Sequence, residues 1–313
     1  MNHLPANQDN RTPPGAPQEK IGLLAAWGEY PIVLARTLRE QGYGVVCLGV
    51  IGHANEELIS LSDSFDWIGL CKLGGAIRYF RRHGVRRVVM AGKLHKVELF
   101  QPWMLLRHLP DWRAIRRFYP QFLFARKDRK DNTLLGAIID EFAMDGIDFL
   151  PPTDFVPELL VKFGFLTKRR PRRHQKIDIE FGWKLAKEIG RLDVGQTVVV
   201  KSRAPLAIEA IEGTDACIRR AGALCASGGF TVVKVAKPRQ DMRFDVPTIG
   251  RGTIESIVDA GGSVLAVEAD RTIIVNQAEV VDYANRHGVS IVALHSDGNC
   301  QPLGEFEDEE QAA

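Results

Sequence analysis

The sequence lacks the marks of several protein classes at once. No run approaches the roughly 20 apolar residues needed to span a bilayer, so any membrane contact is expected to be peripheral. The 5 cysteines, Cys47, Cys71, Cys217, Cys225 and Cys300, form neither a CxxC pair nor an even framework, which excludes a disulfide scaffold and points to a reducing, cytoplasmic setting. Charge of one sign is scarce. With 41 Lys and Arg against 39 Asp and Glu, the net charge is +2, too little for a dedicated nucleic-acid binder. HExxH and close histidine pairs are absent, and Ser202 (KSRAP) and Ser227 (CASGGF) have no GxSxG context. Histidine-bound metal and covalent serine or cysteine mechanisms are disfavoured.

What is present reads as two globular domains, since 313 residues exceed the usual size of one core. Residues 1–20, polar and rich in Pro and Asn, are expected to be a disordered arm without a signal peptide, and 297–313 a flexible acidic tail. The apolar segments from Ile21, Val45 and Arg86 each end in glycine and are spaced widely enough for helices, which predicts βαβ units over 21–150. After the first strand, Gly28 and Pro31 lead into a helix ending at Gly42. Without GxGxxG, the Gly28 turn either brings phosphate to a helix N-terminus or simply closes a tight βα connection. Pro151, Pro152, Pro157, Pro171 and the run KRRPRRHQK mark 151–176 as a linker. A second α/β domain is expected over 177–296, opening with the helix DIEFGWKLAKEIGRLD and the strand TVVVKS. Further strands are expected at 206–210, 231–235, 264–268 and 272–275, with helices at 214–221, 253–260 and 277–287.

The basic residues are clustered, which suits anionic ligands. Between Gln101 and Lys127 they interleave with aromatics, as suits either a surface near anionic lipid or a helix packed into the protein. Two segments concentrate the chemistry. In PLAIEAIEGTDACIRRAG, Glu209 and Glu212 end an apolar strand, Gly213 turns the chain, and Thr214 or Asp215 caps a helix whose first amides favour an anion. In VVKVAKPRQDMRFDVPTIG, Lys237, Arg239, Gln240, Asp241, Arg243 and Asp245 share one loop after a buried strand. Such alternating charge either forms an internal ion network or serves a hard divalent cation and phosphate, with carboxylates on the metal and Lys and Arg on phosphate oxygens.

These motifs, with TDFVPELLVKFGFLT and DIEFGWKLAKEIGRLDVGQTVVVK, make the chain resemble the LpxI-type UDP-2,3-diacylglucosamine pyrophosphatases of lipid A biosynthesis from about Ile21 to Leu294. The resemblance implies an N-terminal Rossmann-like parallel-sheet domain joined to a C-terminal α/β domain, with a UDP-diacylglucosamine lipid held between them. It also implies Mg²⁺- or Mn²⁺-assisted hydrolysis to UMP and 2,3-diacylglucosamine 1-phosphate. Asp241 and Asp245 match the family's acidic motif and are expected to be catalytic and to bind metal, with Glu212 and Asp215 completing the shell. Lys237, Arg239, Gln240, Arg243, Thr214, Gly28 and Lys93 are expected on the substrate. Transient contact with the inner membrane surface and a homodimer are compatible with a lipid substrate. The chain departs from the family at LAAWGEYP, where Ala26 and Trp27 replace a glycine-rich turn, so that Trp27 either stacks on a base or blocks backbone approach. A nucleotide-sugar or dinucleotide-dependent Rossmann enzyme would explain the first half alone, and a non-catalytic lipid- or nucleotide-binding protein would bind without turnover.

Overall fold

The computed structural model describes residues 18–93, 109–123, 131–238, 240–296 and 302–303. The expected arm and acidic tail therefore lie almost wholly outside the described residues, as does Arg239.

The N-terminal body runs β1 (Lys20–Ala25), α1 (Tyr30–Glu40), β2 (Gly44–Val50), α2 (Glu57–Ser60), β3 (Ser64–Ile68), α3 (Leu73–Arg82), β4 (Arg87–Ala91), α4 (Trp112–Leu123), α5 (Asp131–Ala143) and β5 (Asp148–Leu150). Its sheet has the order β3-β2-β1-β4-β5 with every pairing parallel. Parallel strands are covered on both faces and so read as continuous apolar text. All of β2, GVVCLGV, is buried. One face packs Leu23, Leu34 and Leu38; the other packs Val46, Ile77, Phe80 and Phe142. At the edge, β3 keeps Asp66 and Trp67 exposed, and its text SFDWI carries no apolar run to announce a strand. Of the aromatic and basic stretch after Gln101, α4 buries Ala114 in the core and leaves Trp112 78% exposed. Asp111, just before α4, accepts the Ala114 N–H at 2.9 Å.

The C-terminal body continues with β6 (Gly164–Phe165), α6 (Arg173–Arg191), β7 (Thr197–Lys201), β8 (Ala204–Ile208), α7 (Thr214–Leu224), β9 (Thr231–Lys234) and β10 (Thr248–Ile249). It ends with α8 (Arg251–Asp259), β11 (Val264–Glu268), β12 (Ile273–Ile274), α9 (Gln277–Arg286), β13 (Ser290–Ser296) and β14 (Pro302–Leu303). Its main sheet has the order β14-β13-β11-β9-β7-β8, with β6 also on β13. Here β9, β11 and β13 are parallel, while β7 runs antiparallel to both neighbours. Helix α6 covers one face through Ile179, Trp183 and Ala186; Ile218, Ile254 and Val280 of α7, α8 and α9 cover the other. Between β7 and β8 the turn residues Ser202 and Arg203 have φ of 51° and 60°, a conformation that usually calls for Asn-Gly. Buried Asp178 compensates by accepting both of their N–H groups, at 3.0 and 2.6 Å.

The 151–176 stretch joins the bodies as packed chain. Phe155 and Val156 lie in the N-terminal apolar cluster, Val161 in the C-terminal one, and Phe165 pairs with Val292. The bodies also share a seam. Ile273 and Val275 enter the cluster that holds Ala25, Tyr30 and Ala91, and Asn276 Nδ2 donates to Glu29 Oε2 at 2.9 Å. Burying each such aliphatic side chain stabilises the assembly by about 1.5–3 kcal/mol.

Candidate active site

In the N-terminal sheet, β1 lies between β2 and β4, so the strand order reverses there. Ligands of open α/β sheets bind in the crevice outside the carboxyl ends of the strands at such a point. The chain leaving β1 meets the chain leaving β4: the Lys93 N–H donates to the Trp27 carbonyl at 2.8 Å, and the Trp27 N–H donates to the Lys93 carbonyl at 3.2 Å. Gly92 makes this possible. Its φ is +99°, and a Cβ there would stand 2.7 Å from the Ala26 carbonyl carbon. Gly28, with φ of 110°, forms the turn before α1, and Trp27 is 51% exposed.

The C-terminal body brings its charges to the carboxyl ends of β9 and β11, where β7 begins. A buried ion pair anchors the floor: Lys187 Nζ donates to Glu268 Oε2 at 2.6 Å and to the Ala236 carbonyl at 3.0 Å. Glu268 Oε2 also accepts the Ala236 N–H at 2.8 Å. This fixes the exit of β9. Lys237 then bridges Asp193 at 2.6 Å and Asp245 at 3.3 Å. Burial alone would lower its pKa, but Asp245 and Asp193 outweigh it and the ammonium is held above its ordinary range. Gln240 closes the turn by accepting the Lys237 N–H at 2.6 Å. Asp241 is gripped by Arg243, whose Nε and Nη2 donate to its carboxylate at 2.9 and 2.6 Å. This contact holds the carboxyl below its ordinary pKa. The Asp245 N–H donates to the Asp241 carbonyl at 3.1 Å, which puts both aspartates in one turn.

Beside this loop lies a buried polar chain. Thr214 Oγ1 donates to Glu209 Oε1 at 3.0 Å and accepts from Lys234 Nζ at 3.1 Å, while Lys234 also donates to the Thr248 carbonyl at 2.9 Å. The bodies meet here. Lys93 Nζ lies 3.2 Å from where a Cβ on Gly213 would stand, and Gly213 has a φ of +81°.

The residues singled out from sequence thus divide. Lys237, Gln240, Asp241, Arg243 and Asp245 share one loop, and Thr214 and Lys93 come to the adjoining seam. Glu212 is drawn instead to Arg220 at 2.6 Å, which overcomes the cost of partial burial and lowers its pKa. Asp215 accepts the Thr253 hydroxyl at 3.2 Å. The expected four-carboxylate shell is not gathered, and among the described residues no three His, Cys, Asp or Glu side chains group as a metal site. A Mg²⁺-type ion that keeps waters and phosphate oxygens needs only one or two protein carboxylates, and the Asp241–Asp245 turn offers that number. Sequence reasoning missed Lys234, Asp193 and Thr248. The one available signal was a lysine ending the otherwise apolar strand TVVK.

Comparison with known proteins agrees with this two-body layout. A UDP-2,3-diacylglucosamine pyrophosphatase LpxI from Caulobacter vibrioides is 30% identical over 282 residues, spanning 88% of this chain and 97% of the relative. Residues 20–159 match the LpxI N-terminal domain and residues 162–292 the LpxI C-terminal domain, and on that evidence the chain belongs to the LpxI family.

Proposed function

We propose that this protein hydrolyses the pyrophosphate bond of UDP-2,3-diacylglucosamine to UMP and 2,3-diacylglucosamine 1-phosphate, a step of lipid A biosynthesis. The observation that carries the reading is a loop of paired carboxylates and cations at the seam of two LpxI domains. Hydrolysis places a water oxygen on one phosphorus and breaks the anhydride bond, so catalysis is positioning and stabilisation of charge on phosphoryl oxygens.

Asp241 and Asp245 are the residues that would hold a divalent cation, Mg²⁺ or Mn²⁺, which when bound would neutralise phosphate charge and polarise the scissile bond. Asp241 is kept ionised by the Arg243 fork. Phosphate is a bidentate partner for the same fork, so arriving substrate competes for Arg243 and releases Asp241 to accept a hydrogen bond from water. Lys237 orients Asp245 from behind, and Gln240 fixes the turn that carries them. Arg239 belongs to this loop by sequence and is assigned to phosphate on that ground. The Gly28 turn supports the uridine end at the switch point.

No helix among the described residues is long and apolar enough to cross a membrane. We assign the protein to the cytoplasm, touching the inner membrane peripherally to collect its lipid; the exposed Leu109 and Trp112, with Arg113 beside them, support this reading. A homodimer is retained as part of the proposal.

Purified protein incubated with UDP-2,3-diacylglucosamine and Mg²⁺ is expected to release UMP, and chelation to stop it. Asp241→Asn is expected to lower kcat at least about a hundredfold with the fold intact by circular dichroism. Metal-replete wild-type protein that makes no UMP would sink the hydrolase reading, and a fully active Asp241→Asn would remove only the catalytic assignment.

A further inference from the structure

Two cations converge where the bodies meet, one from each. Lys234 is buried at the end of β9, and an ammonium has three N–H donors. Thr214 Oγ1 and the Thr248 carbonyl take two, at 3.1 and 2.9 Å, and no third acceptor occurs among the described residues. Lys93 reaches across from the N-terminal body, its Nζ over Gly213, and its side chain donates to none of the described residues. The nearby carboxylates are all committed elsewhere. Glu209 accepts the Thr214 hydroxyl at 3.0 Å, Asp215 the Thr253 hydroxyl at 3.2 Å, and Asp245 faces Lys237 at 3.3 Å.

We propose that Lys93 and Lys234 together form a phosphate subsite spanning the two bodies, and that a non-bridging oxygen of the substrate's diphosphate binds between them. The inference rests on the pyrophosphatase reading for the identity of the phosphate, and it adds Lys234 as a binding residue. A buried ammonium with a second, exposed cation near it is costly until an anion joins them. The direction of the Lys234 pKa is consistent with this. Burial first, and Lys93 with it, lower the pKa even though Glu209, Asp215 and Asp245 act to raise it. A phosphate oxygen reverses that imbalance. Because the subsite takes one cation from each body, filling it also ties the switch-point turn to the start of α7.

The test uses the full chain with UDP as the probe in titration calorimetry and with UDP-2,3-diacylglucosamine in turnover. Lys93→Met and Lys234→Met are each expected to weaken UDP binding and raise KM for the lipid about tenfold, the scale of one charge-assisted hydrogen bond. The double variant is expected to lose less than the product of the singles, since the two lysines share one oxygen. Lys20→Met, at the opposite end of β1, serves as the charge control and is expected to bind like wild type. Lys234→Met also removes two internal hydrogen bonds, so two further readouts accompany it. Lys93→Met alters an exposed side chain only, and UDP binding at alkaline pH is expected to take up protons in wild type but not in Lys234→Met.

Unchanged UDP affinity and KM in Lys93→Met, or singles that multiply without coupling, would overturn the proposal even while wild type still makes UMP. Coupled losses of UDP affinity in a wild-type background that makes no UMP would support the subsite and overturn the pyrophosphatase reading instead.

Discussion

The two bodies are both α/β sheets, yet they carry charge in opposite ways. In the N-terminal body every strand pairing is parallel, and the residues brought to its crevice are held chiefly by main chain: the Trp27–Lys93 bridge and the Gly28 turn. In the C-terminal body an antiparallel β7 and β8 stand beside parallel strands, and the crevice is built from side-chain ions, several of them buried. A crevice made of backbone tolerates sequence change so long as its glycines remain. One made of buried ions is sensitive to each charge, because removing one partner leaves the other without compensation.

That contrast predicts a graded series. The largest effect belongs to the C-terminal floor: Lys187→Met strands Glu268 and is expected to cost about 3–5 kcal/mol of stability, read by urea unfolding. Adding Glu268→Leu should recover most of that loss. If Lys187→Met alone is neutral, the floor is not held by its ions and the contrast collapses. A smaller effect is expected from Gly92→Ala, which forces a left-handed backbone and a clash with Ala26. About 1–3 kcal/mol is the expected scale, and the loss should be accompanied by weaker UDP binding as the Trp27–Lys93 bridge opens. A variant as stable as wild type with unchanged UDP affinity would show that the bridge does not shape the crevice. The smallest effect is in acid. Asp241 and Glu212 have folded pKa values below their ordinary ones, so their contribution is present above about pH 4 and is lost as pH falls through the folded values. Both pairs are partly exposed, so the loss should stay under about 1 kcal/mol each. Comparing Asp241→Asn with wild type in thermal melts between neutral and acid pH checks it, and a difference that does not narrow in acid would contradict this sign.

Much of this was legible in the sequence for physical reasons. Buried parallel strands write themselves as unbroken apolar runs closed by glycine, so β1, β2 and β4 could be read, as could α6 and the acidic loop near Asp241. Edge strand β3 could not, because Asp66 and Trp67 face water and only Ile68 of the strand is fully buried. The Ser202–Arg203 turn was hidden because its left-handed backbone is stabilised by Asp178, more than twenty residues earlier. The partner of Glu212 was hidden for a related reason: Arg220, two helical turns on, pairs with its side chain, and only the start of α7 determines that they meet. Lys234 was missed because its partners Thr214 and Thr248 lie on either side of it in sequence and come together only through the sheet.

The placement of Ile273 and Val275 in the N-terminal apolar cluster also has a consequence for biosynthesis. A ribosome releases the first body's strands and helices long before it has made the residues that close one flank of their core. Until the chain passes Val275, that flank stays open to water and to other nascent chains, so the first body waits on the second, and a stop codon or a stall beyond residue 160 would leave an adhesive half rather than a smaller protein.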